Sequence, residues 1–259
     1  MILREGRRLV CAIQFLTRLP TPQVAWSDDL VARSARYFPL VGLLVGSLSA
    51  LVLLGARQIW PEGLLPALLA VAAGVAITGA FHEDGLADSA DGLGGGQTPA
   101  QRLAIMKDSR VGTYGVLALG LSLAVKVCAL GMIMPPWTAA AVLVCAQAGG
   151  RAAAVATMVW TPYAADPGGS KLKPGARGVR PFEAVVAILI GAAPFLWLGP
   201  LAGLACVAAG LAFAAVPALA AQRLIGGHTG DVLGAVEQAF ELGCILAAAA
   251  LWSLGGAAA

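Results

Sequence analysis

The chain has 259 residues and a formal net charge of +3, and only 12% of its residues are charged. A soluble domain carries roughly 25% charged residues, whereas here hydrophobic types reach 59% and the mean hydropathy is +0.82. That balance excludes a disordered chain and an ordinary cytosolic enzyme, because too little polar surface remains to cover a core.

In chain order, the N-terminal stretch sets Arg4, Arg7 and Arg8 beside Leu3, Val10, Ile13, Phe15 and Leu16. This is the pattern of an amphipathic helix lying on a membrane surface. Gln14, Thr17 and Arg18 interrupt the apolar run and Pro20 ends it, so it does not read as a signal peptide. A helix crosses a bilayer with about 20 mostly apolar residues. Segments 37–56, 63–82, 113–134, 137–160, 183–199, 201–221 and 232–254 meet that test, although Glu237 and Glu241 interrupt the last. Segments three and four meet at Pro135-Pro136, and five and six at Gly199-Pro200. Proline cannot continue the preceding helix, so both junctions read as tight turns between antiparallel helices. The expected fold is all-α: a polytopic integral membrane bundle of about seven transmembrane helices plus the N-terminal interfacial helix. Residues 1–259 form one membrane-embedded catalytic domain, with 1–36 as the interfacial segment and 37–254 as the bundle. Cys11, Cys128, Cys145, Cys206 and Cys244 lack disulfide or metal spacing and read as small buried hydrophobes.

Lysine and arginine set the orientation. With the N-terminus in the cytoplasm, every cation except Arg57, Lys126 and Arg151 falls in an inside segment. One inside loop holds Lys171, Lys173, Arg177 and Arg180. Arg57 is outside, and Lys126 and Arg151 lie within spans. The expected location is the inner, cytoplasmic membrane, with the active site cytoplasmic and the C-terminus outside.

The acids are concentrated. Glu83, Asp84, Asp88 and Asp91 follow the second apolar segment directly. On a helix Asp84, Asp88 and Asp91 stand at i, i+4 and i+7 and share one face. Three carboxylates on one face repel unless a cation neutralises them, and an all-oxygen donor set favours Mg²⁺ shared with substrate phosphates. Thr98-Pro99-Ala100-Gln101 reads as a capping box with proline at the first helical position. The short helix it starts presents Arg102, Lys107, Asp108 and Arg110 to the same side, cations suited to a phosphorylated substrate. A second acidic region runs through Gly226-Gly227-His228-Thr229-Gly230-Asp231 to Glu237 and Glu241. Asp231 and Glu241 are not on one helical face by spacing. Arg151, near mid-span, needs a partner. These residues suit displacement at phosphorus, where catalysis is mainly positioning and charge neutralisation. Other readings are a different Mg²⁺-dependent membrane phosphoalcohol transferase, a prenyltransferase, or a cation-coupled transporter. Acids gathered at one surface weigh against the last.

Five blocks in order, taken together, resemble the adenosylcobinamide-GDP ribazoletransferase (cobalamin synthase) family. They are Phe15-Leu16-Thr17-Arg18-Leu19-Pro20, Tyr37-Phe38-Pro39-Leu40-Val41-Gly42, the stretch from His82 to Gly92, the stretch from Ile105 to Gly115, and the stretch from Gly226 to Ala235. The resemblance implies transfer of the adenosylcobinamide-phosphate moiety of adenosylcobinamide-GDP to α-ribazole or its 5′-phosphate, with release of GMP and Mg²⁺ as cofactor. On that basis Asp84, Asp88 and Asp91 are expected to hold the metal. Asp108 or Asp231 is expected to serve as base or second metal ligand. Glu83, Arg102, Lys107, Arg110, Arg151, Gly227, His228, Thr229 and Glu241 are expected around the substrates. The lipid bilayer is the other expected partner, no nucleic acid is implied, and small residues in the spans permit a homo-oligomer.

Overall fold

A computed structural model describes residues 2–164 and 178–256. Lys171, Lys173 and Arg177 of the inside loop lie outside the described residues. The helices are α1 (Ile2–Leu16), α2 (Asp28–Ser34), α3 (Phe38–Ile59), α4 (Leu65–Thr78), α5 (Phe81–Gly95), α6 (Pro99–Met106), α7 (Thr113–Met132), α8 (Pro136–Trp160), α9 (Pro181–Ala192), α10 (Pro200–Ile225) and α11 (Gly230–Gly256). Short 3₁₀ turns join α2 to α3 and extend α9 to Leu198. Among the described residues the only β-type pairing is an isolated bridge between Tyr163 and His228.

Among the described residues six stretches are long and apolar enough to cross a membrane, and the α4–α5 pair makes a seventh if counted as one span. The straight second span expected over 63–82 is corrected here, because the pair bends by 90°. Gly79 and Ala80 both adopt left-handed backbone, at φ 68° and 59°. Their amides bond back to Ala76 O and Val75 O at 3.3 and 2.9 Å. This closing motif satisfies the last carbonyls of α4 and turns the chain. A side chain at Gly79 would also strike Arg18, whose amide donates to Ile77 O at 2.8 Å. The bend turns the acidic segment into a helix inside the bundle rather than an extension of a span.

Burial separates the helices by role. The hydropathic cores of α8 and α11 are 83% and 78% buried, against 22% for α10. The first two are therefore the central helices, and α10 turns Leu201, Leu204, Leu211 and Val216 outward as a lipid-facing surface. Helix α5 meets α11 backbone to backbone at two glycines. A Cβ at Gly85 would lie 2.7 Å from Asp231 O, and one at Gly234 3.0 Å from His82 O. At one end of the bundle Arg57 donates to Pro61 O at 2.7 Å and to Gly131 O at 3.2 Å, tying the end of α3 to the end of α7. The Tyr163–His228 bridge joins the chain after α8 to the turn before α11. These contacts agree with alternating crossings.

Helix α1 is amphipathic as expected, but its apolar face is also claimed by protein. Cys11, Ala12 and Leu16 are buried, and Ala12 and Leu16 pack with Phe38, Val41 and Val45. Its polar side is tied down as well: Tyr37 donates to Glu5 at 2.7 Å and Arg36 Nη1 lies 3.6 Å from Glu5 Oε2, while Arg33 and Arg36 also meet one oxygen of the buried Glu183 at 3.2 and 3.1 Å. The Tyr37 hydroxyl and the nearby Arg8 and Arg36 hold the Glu5 carboxyl below its ordinary pKa. Four cysteines are buried as expected, while Cys128 is exposed.

Candidate active site

A pocket with about 680 Å³ of empty space, counting the part open to solvent, lies where α1, α3, α5, α8 and α11 meet. One wall is aromatic. Phe15 stacks on Phe38 at 5.6 Å and meets Phe81 edge-on at 5.4 Å. The other wall carries Asp84 from α5, Arg151 from α8 and Asp231 from α11. The Gly85–Gly234 approach is what brings Asp84 and Asp231 to the same space, since any side chain there would part the two helices.

Arg151 is 1% exposed. Its Nη1 donates to Glu237 Oε1 at 2.7 Å and to Gln147 Oε1 at 2.8 Å. Its Nε and Nη2 are buried with no protein partner. One edge of the guanidinium is thus held rigidly by α8 and α11 while the Nε–Nη2 edge remains a two-pronged donor. That fork matches the paired oxygens of a phosphate. His82, also lining the cavity, sets Nδ1 3.8 Å from Glu237 Oε1.

The three aspartates divide. Asp84 is exposed at the cavity and Asp88 stands one turn further on the same face, partly buried. Asp91 is turned to the start of α7, where it accepts from the amides of Gly112 at 2.7 Å and Gly115 at 2.9 Å. Unpaired amides and the positive dipole end make a helix start a favourable seat for a carboxylate. Among the described residues no three His, Cys, Asp or Glu side chains converge to hold a metal ion. The three aspartates are therefore not gathered at one point: Asp84 and Asp88 share a face, and Asp91 anchors α7. Asp91→Ala is expected to destabilise the protein by about 1–2 kcal/mol, the usual cost of a lost helix cap. A thermal unfolding midpoint equal to the parent's in the same detergent would count against this anchoring role.

Other expected residues are placed differently. The capping box at Thr98 and Gln101 is present, but Arg102 donates from Nη1 to the Leu93 carbonyl and stitches α6 to the end of α5. Asp108 is gripped by Arg110, with Oδ2 2.5 Å from Nη2 and Oδ1 3.0 Å from Nε. That pairing lowers its pKa to about 2, and Asp108 does not line the cavity that holds Asp84 and Asp231, so the geometry favours Asp231 of the two as base. Lys107 and Arg110 are exposed at the same end of the protein.

Glu83 and Glu241 do not face the cavity of Asp84. Glu83 accepts from Gln238 at 3.1 Å, and Glu241 accepts from Lys126 at 2.7 Å. Ten residues of helix separate Glu241 from Asp231, roughly 15 Å. Their assignment to the substrate site is corrected accordingly. Gly227, His228 and Thr229 build the turn itself. His228 exchanges backbone bonds with Pro162 and Ala164 at 2.9 and 2.8 Å, and its Nδ1 lies 2.9 Å from Thr161 Oγ1. Gly227 lies against the Pro162 carbonyl, where a Cβ has no room. Thr229 Oγ1 accepts from Val232 N at 3.2 Å, capping α11. None of the three lines the cavity. Phe15, Phe38 and Phe81 of the cavity wall, and Glu237, Gln147 and Gln238 around the buried cations, were not among the expected site residues.

A model of the family described as cobalamin-5-phosphate synthase matches residues 8–249. Similar curated proteins are adenosylcobinamide-GDP ribazoletransferases. That of Ralstonia pickettii is 42% identical over 93% of this chain and 94% of its own length. That of Shewanella frigidimarina is 40% identical over 94% of both chains, and that of Leptothrix cholodnii 42% identical over 95% and 96%. No solved structure matches the chain.

Proposed function

The chain belongs to the cobalamin-5-phosphate synthase family, and we propose that its cavity joins adenosylcobinamide-GDP to α-ribazole or α-ribazole 5′-phosphate. A ribose hydroxyl oxygen bonds to the phosphorus on the cobinamide side of the diphosphate. The bond from that phosphorus to the bridging oxygen breaks, GMP leaves with that oxygen, and the hydroxyl proton passes to a base. The observation that carries this reading is the buried Nε–Nη2 edge of Arg151 at a cavity shared with Asp84 and Asp231. That edge holds two oxygens of the reacting phosphate and offsets the charge that builds there in the transition state. Asp231 is the base. Lys107 and Arg110, on the same side, steer the anionic substrate toward the mouth.

Asp84 and Asp88 fit Mg²⁺, which is commonly held by one or two carboxylates together with substrate phosphates. The ion, when bound, supplies charge neutralisation on the diphosphate. GMP release by the purified protein in vesicles is expected to require Mg²⁺, to stop on chelation and to resume when Mg²⁺ is restored. Asp84→Asn is expected to raise the Mg²⁺ concentration for half-maximal rate by at least about tenfold, the loss of one charged ligand being worth about 1.4 kcal/mol or more. Undiminished GMP release after chelation would remove the metal from the scheme, and no GMP release under any condition would remove the reaction. In this reading the site faces the cytoplasm, the side on which the lysines and arginines gather, and the membrane is the inner one. A reporter at the C-terminus is expected outside, and a cytoplasmic signal would reverse that assignment.

A further inference from the structure

A second cavity, with about 320 Å³ of empty space, lies near the middle of the bundle between α3, α4, α5, α7, α8 and α11. Its polar lining is Ser49, Glu83, Lys126, Gln147 and Glu241. The apolar remainder comes from residues such as Ala70, Leu143 and Ile245. Ser49, Gln147 and Glu241 sit near the midpoints of their helices, so the cavity is at membrane depth.

Two independent features of this space point to a bound cation. The first is charge. Glu83, Glu237 and Glu241 face Lys126 and Arg151, with His82 the other titratable side chain packed beside them. With all three carboxylates ionised against the two cations, one negative charge is left over in a region where an uncompensated charge is costly. The second is the set of unused oxygens. Glu83 Oε2, Glu241 Oε1 and Ser49 Oγ are buried and accept no hydrogen bond from the protein, Arg151 Nη1 standing 3.8 Å from Glu241 Oε1, and all three residues line the cavity. Ser49 is 1% exposed and Glu241 3% exposed. The Lys126 ammonium is already committed to Gln238 Oε1 at 2.6 Å and Glu241 Oε2 at 2.7 Å.

We infer that this cavity binds one monovalent alkali-metal ion on the oxygens of Ser49, Glu83 and Glu241. A single positive charge balances the cluster, whereas a divalent ion would overshoot it. A hydroxyl together with two carboxylate oxygens is a hard donor set suited to such an ion. With only two carboxylates in the set, it agrees with the lack of a three-acid metal cluster among the described residues. The ion neutralises the bundle interior and fastens α3 and α5 to α11. It lies apart from the Asp84–Asp88 pair and takes no part in phosphate transfer.

The experiment uses the full-length protein in nanodiscs, with the thermal unfolding midpoint followed as choline chloride is exchanged for NaCl or KCl at constant ionic strength and pH. An ion that binds only the folded state raises the midpoint with its concentration, and a rise of several degrees is expected for at least one of the two. Ser49→Ala removes one ligand without breaking the Lys126–Glu241 pair. It is expected to fold, and to need about tenfold more of that ion for the same rise. Glu241→Gln is expected to abolish the response. Equal midpoints in choline, sodium and potassium would overturn the inference. So would a Ser49→Ala protein that responds like the parent.

Discussion

Asp231→Asn is expected to lower the turnover of GMP release by about 10²–10⁴, the usual contribution of a positioned base, while changing KM little. The side chain is buried at the polar wall of the cavity, and three features fix it there. It lies in the first turn of α11. The hydroxyl of Thr229 caps that turn through Val232 N at 3.2 Å. The Gly85–Gly234 contact then holds the turn against α5, so that Asp84 and Asp231 reach the same cavity. Asparagine keeps the shape and an acceptor oxygen but takes up a proton far less readily. A fall in turnover at an unchanged unfolding midpoint therefore separates proton transfer from scaffolding. Asp108→Asn is the internal comparison. Asp108 is held near pKa 2 by an exposed Arg110, and its loss is expected to cost far less. Turnover of Asp231→Asn within about threefold of the parent would sink the base assignment.

The contrast between these two aspartates shows how far the sequence could be read. Hydropathy and proline turns located the spans, because lipid imposes length and composition directly on each helix. The capping box at Thr98 and the helical face of Asp84 and Asp88 were equally legible, both being local spacings. The 90° bend at Gly79–Ala80 was not. Gly79 announces a possible left-handed residue, but Ala80 at φ 59° does not, and without the bend Glu83 reads as a neighbour of Asp84 in one site. Inside the bundle it faces Gln238 instead. Asp91 was misread for a related reason. Its spacing fits a shared face with Asp84, yet its carboxylate is claimed by amides more than 20 residues away. Glu237 and Glu241 were visible as acids in an apolar helix, which marked them as costly. Which cation each would meet is a matter of helix rotation and packing, and no local pattern encodes it.

Arg151 carries both kinds of burden, and its substitutions separate them. Arg151→Met alone is expected to destabilise the protein by about 3–5 kcal/mol, because Glu237 is then buried without its partner. Glu237 is 0% exposed and lies 2.7 Å from Nη1, so its charge is shut off from bulk solvent. Activity lost in this variant says little, since misfolding alone accounts for it. Replacing both residues, as Arg151→Met with Glu237→Gln, removes the two charges together and is expected to recover most of the stability. It does not restore the Nε–Nη2 edge. GMP release is therefore expected to stay about 10²–10³ below the parent, the scale of losing a preorganised donor to a developing oxyanion. Arg151→Lys adds the complementary case. Its ammonium keeps the pair with Glu237 and hence the fold, but it offers a point charge in place of a fork, so turnover falls with stability nearly intact. Unfolding midpoints and GMP release measured on the three proteins decide the matter. If the double variant recovers activity along with stability, Arg151 serves only to balance Glu237. If stability returns and activity does not, the free edge of the guanidinium acts on the phosphate.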